Sequence, residues 1–254
     1  TPAALAGRPA AQLRSEGLAA ANRNDHKRGL LLIGAAIVAD PKDGASWLAY
    51  SRTALAASPA NSTDRWLYQQ RATTAAYAGY QRAAARADEA AGLALLGEAY
   101  AAREVWRPSL DAYKASLALV DAPQVRTTYQ ALREERGFRI LDYKVDSDSA
   151  SPRVCFQFSE PLARGKVNFA PYVAVSGTAN AAIAPEDQQL CVDGLKHGER
   201  YAIVLRQGLP SSVGEALLKP ADYEVYVRDR SPQVRFTGRN YVLPRVGQEG
   251  IPVV

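Results

Sequence analysis

Methionine is absent from the 254 residues, cysteine and histidine occur twice each, and phenylalanine only five times. Each scarcity narrows the possible chemistry. Two cysteines with two distant histidines, His26 and His197, offer no metal-ligand spacing. No uninterrupted apolar run approaches the ~18 residues that a membrane-crossing helix requires. The longest, Leu30–Ala39, is ten residues and is interrupted by Gly34. Neither charge sign dominates: the net charge is +5, and no basic run interleaves with aromatics as a nucleic-acid surface requires. Gly-x-Ser-x-Gly, phosphate-loop and His-Glu-x-x-His motifs are all missing. Leu209–Gly214 reads as a loop. Glu134-Glu135 and Glu186-Asp187 read as solvated charge, since nothing beside them would shift a carboxyl into catalytic range. The expectation is a protein that is not an enzyme, with no catalytic residues, no metal and no cofactor.

What is present changes character near residue 137. The first part is Ala-rich and helical, and the rest alternates β-branched and aromatic residues between Gly/Pro turns. Helices are expected at about 8–22, 26–39, 44–57, 62–84, 88–103, 106–120 and 123–136. Asp40-Pro41 ends one helix, because the residue before proline is driven out of the α region. Asp43 or Ser46 is then placed to cap the next, and Trp47 opens its apolar stripe. Ser62 or Thr63 is expected to cap the fourth helix. Gly137 is expected to close the last helix in a left-handed conformation.

Asp40–Trp47 resembles the junction between tetratricopeptide repeats. Leu93–Tyr100 with Trp106, Ser109, Tyr113, Ser116 and Leu117 resembles one such repeat. Ser109, Tyr113 and Ser116 share one helical face. Gly97 would let two helices approach closely, with Tyr100 filling the space beside it. The repeat opened by Trp47 fits less well, since Ser51 replaces the usual glycine. The resemblance implies a scaffold with a concave groove for a protein partner, which the residues do not identify.

From Phe138 the period is two. Strands are expected at 138–145, 153–158, 172–175, 189–193, 201–205 and 224–228. Turn signals lie at Ser176-Gly177, Asp193-Gly194, His197-Gly198 and Gln207-Gly208. Short strands at this spacing point to an antiparallel sandwich of roughly seven strands. Val154, Phe156 and Phe158 form one face of a strand, so Cys155 points to the other. Leu190 and Val192 leave Cys191 in the same position. A Cys155–Cys191 disulfide is expected if the two strands are neighbours, and it would fit an exported protein. The other reading is a pair of half-buried thiols in the cytosol.

Phe156–Leu162 (Phe-x-Phe-Ser-x-Pro-Leu) and Leu195–Val204 (Leu-x-x-Gly-x-x-Tyr-x-Ile-Val) resemble a bacterial Ig-like pattern. After it come Phe236, Gly238, Tyr241-Val-Leu-Pro244 and Gly250-Ile-Pro252-Val. That stretch resembles the entry into the first macroglobulin-type domain of bacterial α2-macroglobulin family proteins. The layout expected is a multidomain chain, α then β. A tetratricopeptide-like helical hairpin array spans 1–137 and an antiparallel Ig-like β-sandwich spans 138–230. A macroglobulin-type domain or linker strand begins in 231–254. The chain opens on Thr-Pro-Ala-Ala without Met and ends in a strand-like tail, so it reads as a segment of a longer, processed protein.

The resemblance implies the N-terminal, non-catalytic region of an exported protease inhibitor, serving to anchor, space or bind partners. It implies a periplasmic or extracellular location, with membrane attachment only through a lipid anchor outside this segment. Proteases would be its targets through downstream domains. Many members of the family use a Cys-x-Glu-Gln thioester, but Cys155 is followed by Phe-Gln-Phe and Cys191 by Val-Asp-Gly. Neither is that motif, and no bait region is recognisable. The alternative is a periplasmic repeat-plus-Ig adaptor in envelope assembly, without inhibitory activity.

Overall fold

The computed structural model describes residue 5 and residues 7–59, 61–178 and 181–231. The tail residues Phe236, Gly238, Tyr241, Pro244, Gly250 and Pro252 lie outside the described residues. The chain divides into two compact units, Thr1–Gly137 and Phe138–Val254.

In the first unit the described residues form α1 (Ala10–Ala21), α2 (His26–Ala39), α3 (Gly44–Ala56), α4 (Ser62–Gln81), α5 (Arg86–Ala102), α6 (Trp106–Leu119) and α7 (Pro123–Arg136). Each helix packs on the next, and α3 also touches α1 and α5, so the hairpins stack in sequence order. Short polar side chains set the helix starts by accepting otherwise orphaned amides. Asp25 accepts from the Arg28 amide and Asp43 from the Ala45 amide. At α4 the cap is Asn61, accepting from the Asp64 amide, where Ser62 or Thr63 had been the expectation. Asn61 stands one residue earlier with an extended backbone, which aims its oxygen back at the first turn. Gly137 is also a correction: its φ of −71° and ψ of −165° are extended and not left-handed. The chain runs straight on into Phe138, whose amide donates to the buried Glu215 carboxylate at 2.9 Å.

The helical core is thin and made of small side chains. Among the described residues three small clusters of buried apolar residues hold it, one with Leu48 and Leu96, one with Leu30 and Ala72, and one with Leu13 and Leu32; Leu55 packs on the first two. Close approach compensates for small volume. A Cβ on Gly92 would lie 2.9 Å from the Cα of Tyr80, so α4 and α5 touch backbone to backbone. A Cβ on Gly97 would meet the ring of Tyr113 at 2.9 Å. Tyr113, and not Tyr100, therefore fills the space beside that glycine. Tyr113 reaches it from α6, which faces α5 directly. Tyr100 packs on the Leu48–Leu96 cluster.

Buried hydroxyls join the same helices. Ser109 and Ser116 of α6 donate to the carbonyls of Gly97 and Ala90, each at 2.7 Å, and Ser51 of α3 donates to Ala72 at 2.9 Å. The serine that replaces a glycine at position 51 thus supplies an interhelical bond. Between α2 and α3, the Trp47 indole donates to the Pro41 carbonyl, and the Arg82 guanidinium stacks over the indole ring.

The second unit is a sandwich of β1 (Ile140–Asp146), β2 (Arg153–Phe158), β3 (Val173–Val175), β4 (Ala182–Glu186), β5 (Gln189–Asp193), β6 (Arg200–Leu205) and β7 (Ala221–Tyr226). One sheet has the order β1-β2-β5-β4 and the other β3-β6-β7, with every pairing antiparallel. A single cluster fills the space between them, including Phe156, Phe158, Leu190, Val192, Ile203 and Leu205. The Phe-x-Phe-Ser-x-Pro-Leu motif buries Phe156, Phe158 and Leu162 in that cluster.

β4 was not expected. Its sequence, Ala-Ile-Ala-Pro-Glu, lacks alternation and carries a proline, which a strand tolerates at a sheet edge, where β4 lies. In the Leu195–Val204 motif, Gly198 turns the chain at a φ of +76°, open to glycine and costly to other residues. Tyr201 follows it into the core, and its hydroxyl accepts from the Lys196 amide and donates to Glu199.

Candidate functional site

A concavity in the first unit lies between α3, α5 and α7, with α6 beneath it. Its volume is about 680 Å³. Ala87, Ala91, Ala94 and Glu98 line it along α5; positions 87, 91, 94 and 98 recur at helical spacing and share one face. Arg52 enters from α3, and Val125 and Thr128 from α7. Small side chains dominate the α5 wall, and the opposed charges of Arg52 and Glu98 give the groove a polarity.

Packing around the Glu98 carboxyl raises its proton affinity above the ordinary value, and the Arg52 cation acts in the opposite direction. Glu98 is nonetheless an exposed residue, so the net effect is modest. Tyr113 at the base is buried. Loss of hydration, with the neighbouring Glu98 charge, pushes its phenol up to about 12. Tyr113 is therefore not poised for acid–base work near neutrality. Sequence reasoning had not singled out Arg52, Glu98 or Val125, although the 87-91-94-98 spacing was a signal within its reach.

The structure joins Cys155 of β2 to Cys191 of β5 in a disulfide between directly paired residues. Cys191 is fully buried, whereas Cys155 keeps part of its surface open. The other residues considered from sequence are not gathered into one site. Glu186 pairs with Arg153 at 2.6 Å and Asp187 with Arg164 at 3.4 Å, while Glu135 pairs with Arg136 at 2.9 Å. Within the loop 209–214, Ser211 is buried and donates to the Glu215 carbonyl at 2.8 Å, which removes it as a nucleophile. His26 lies in the helical unit, and His197 contacts the Ser147 carbonyl in the β unit. Among the described residues, no group of three or more His, Cys, Asp or Glu could hold a metal ion. No helix among them is long and apolar enough to cross a membrane.

The chain matches no protein-family model. A curated alpha-2-macroglobulin of Xylella fastidiosa is 27% identical over 124 residues, which is 47% of this chain and 8% of that protein. A crystal structure of native alpha-2-macroglobulin from Escherichia coli, spanning domains MG0-NIE-MG1, is 22% identical with a TM-score of 0.37, covering 46% of this chain and 40% of that one. A Salmonella alpha-2-macroglobulin mutant is also 22% identical, with a TM-score of 0.35, covering 48% of this chain and 8% of that one. The similarity to the Xylella alpha-2-macroglobulin thus covers about 47% of this chain and a small part, 8%, of that protein's length.

Proposed function

We propose that this chain is the N-terminal, non-catalytic region of an exported alpha-2-macroglobulin-like protease inhibitor. The β unit acts as a spacer leading into downstream macroglobulin-type domains, and the helical unit acts as a docking scaffold. The carrying observation is the 124-residue match to the Xylella protein. The Cys155–Cys191 disulfide supports export, since such bonds persist in oxidising compartments. The α3–α5–α7 groove supports docking of a polypeptide, because its small side chains permit close approach.

In this reading residues 1–137, 138–230 and 231–254 are three structural regions with three tasks: binding, spacing and entry into the inhibitor body. None performs chemistry on a substrate. Proteases engage the protein through parts beyond this segment. The location is the periplasm or the cell exterior.

The test uses the full-length protein and an active protease. Trapping by enclosure should shield a folded protein substrate while leaving cleavage of a small chromogenic peptide largely intact. Equal loss of both activities would indicate an active-site blocker, and loss of neither would sink the inhibitory reading. The envelope-adaptor reading gains if the protein leaves proteases untouched yet co-purifies with an envelope complex through residues 1–137.

A further inference from the structure

The disulfide lies on the face of the β1-β2-β5-β4 sheet away from the core. Val154, Phe156 and Phe158 of β2 enter the core cluster, and Cys155 between them faces the other way. Beside it is a groove of about 370 Å³, with Asp142, Lys144 and Asp146 of β1 along one wall and Arg153 and Gln157 of β2 along the other. Cys155 lines this groove and Cys191 does not.

Strand order matters because a thiolate attacks a disulfide along the S–S axis, from the side opposite the leaving sulfur. For attack on Cys155 the leaving sulfur is on β5, so the nucleophile arrives from β1, through the groove. For attack on Cys191 it would arrive from β4, where Ala184 is the directly paired residue and the cysteine has no exposed surface. Lys144 is the β1 residue paired with Cys155, which places a cation beside the path of an incoming anion.

We infer that Cys155 is a thiol-exchange site, open in the native fold to a small external thiolate of the glutathione class. The incoming sulfur bonds to Cys155 Sγ as the Cys155–Cys191 bond breaks. The electron pair leaves on Cys191 Sγ, which takes a proton from water. One disulfide replaces another, so no net oxidant or reductant is consumed. The core lies on the opposite face, and the β2–β5 backbone pairing at Val154–Val192 and Phe156–Leu190 remains, so exchange leaves the sandwich folded. The β2–β5 pairing holds Cys191 beside Cys155, so Cys191 Sγ re-attacks Cys155 Sγ and releases the external thiol once that thiol is removed from solution.

The experiment is native incubation of the full chain with reduced glutathione, an acid quench, and peptide mapping by mass spectrometry. The expected adduct is on Cys155, in at least about tenfold excess over Cys191, at a rate linear in thiol concentration and with the near-ultraviolet circular dichroism retained. Lys144→Glu, an exposed substitution, should slow anionic glutathione and accelerate cationic cysteamine, each by about two- to threefold. An adduct mainly on Cys191 would overturn the inference. So would a rate that reaches a plateau with thiol concentration, which marks prior unfolding as the limiting step.

Discussion

The two units reach a folded state by opposite means. The sandwich has one continuous core, with three aromatic rings from Phe156, Tyr143 and Tyr223 in mutual contact at its edge. The helical unit has no comparable core. Among the described residues its apolar clusters are small, two of them bridged by Leu55, and its helices are held by glycine contacts and by hydroxyl-to-carbonyl bonds. A single core makes folding all-or-none and leaves little surface to spare. A stack of hairpins distributes its stability along the chain and keeps a groove open. The contrast is the structural basis for proposing spacing for the β unit and docking for the helical unit.

The largest expected effect tests the β side. Phe156→Ala removes a fully buried ring from the cluster and should cost about 3–5 kcal/mol. Urea denaturation should show the loss as one cooperative shift of the sandwich transition, and a loss below about 1 kcal/mol would mean the core is not continuous. Next is the disulfide. Cys155→Ser with Cys191→Ser opens a link across 36 positions and should cost about 3–4 kcal/mol on the loop-entropy account. Comparison of melting in both backgrounds would show whether the staple or the apolar core dominates.

On the helical side, Gly92→Ala separates two interpretations by sign. If α4 and α5 touch backbone to backbone, the added methyl meets the Tyr80 main chain and destabilises by about 1–3 kcal/mol. If the helices can slide apart freely, alanine's higher helix propensity should instead stabilise the variant by about 1 kcal/mol. The smallest effect, absent at neutral pH, concerns Tyr113. Its phenol ionises near 10 when exposed and at about 12 in the fold, so the folded state holds the proton more tightly. Stability from this group is complete below pH 10 and is lost as pH rises through 12. Tyr113→Phe should remove that alkaline decline, and an unchanged pH profile would contradict the burial argument.

Much of this arrangement was legible in the sequence because the signals were local. Asp-Pro, Trp47 and the run Ser109, Tyr113, Ser116 marked helix boundaries and faces. Alternation around Cys155 and Cys191 placed both on one side of a sheet. What was not legible depends on tertiary packing. Gly97 announced a close approach but not its partner, because whether Tyr100 or Tyr113 fills the gap is decided by which helix faces which. β4 was hidden because an edge strand needs no alternation and tolerates Pro185. A concave groove was expected from the repeat resemblance, but its lining was not, because alanines at 87, 91 and 94 look like helix filler until α3 and α7 are placed beside them.

The central claim is that this segment binds and spaces while inhibition resides in the rest of the protein. The most direct measurement compares residues 1–254 with the full-length protein in one protease assay using a folded substrate and a small peptide. The account predicts that the segment alone changes neither rate, and that the full-length protein protects the folded substrate selectively. Inhibition by the segment alone, or no protection by the full-length protein, would contradict it.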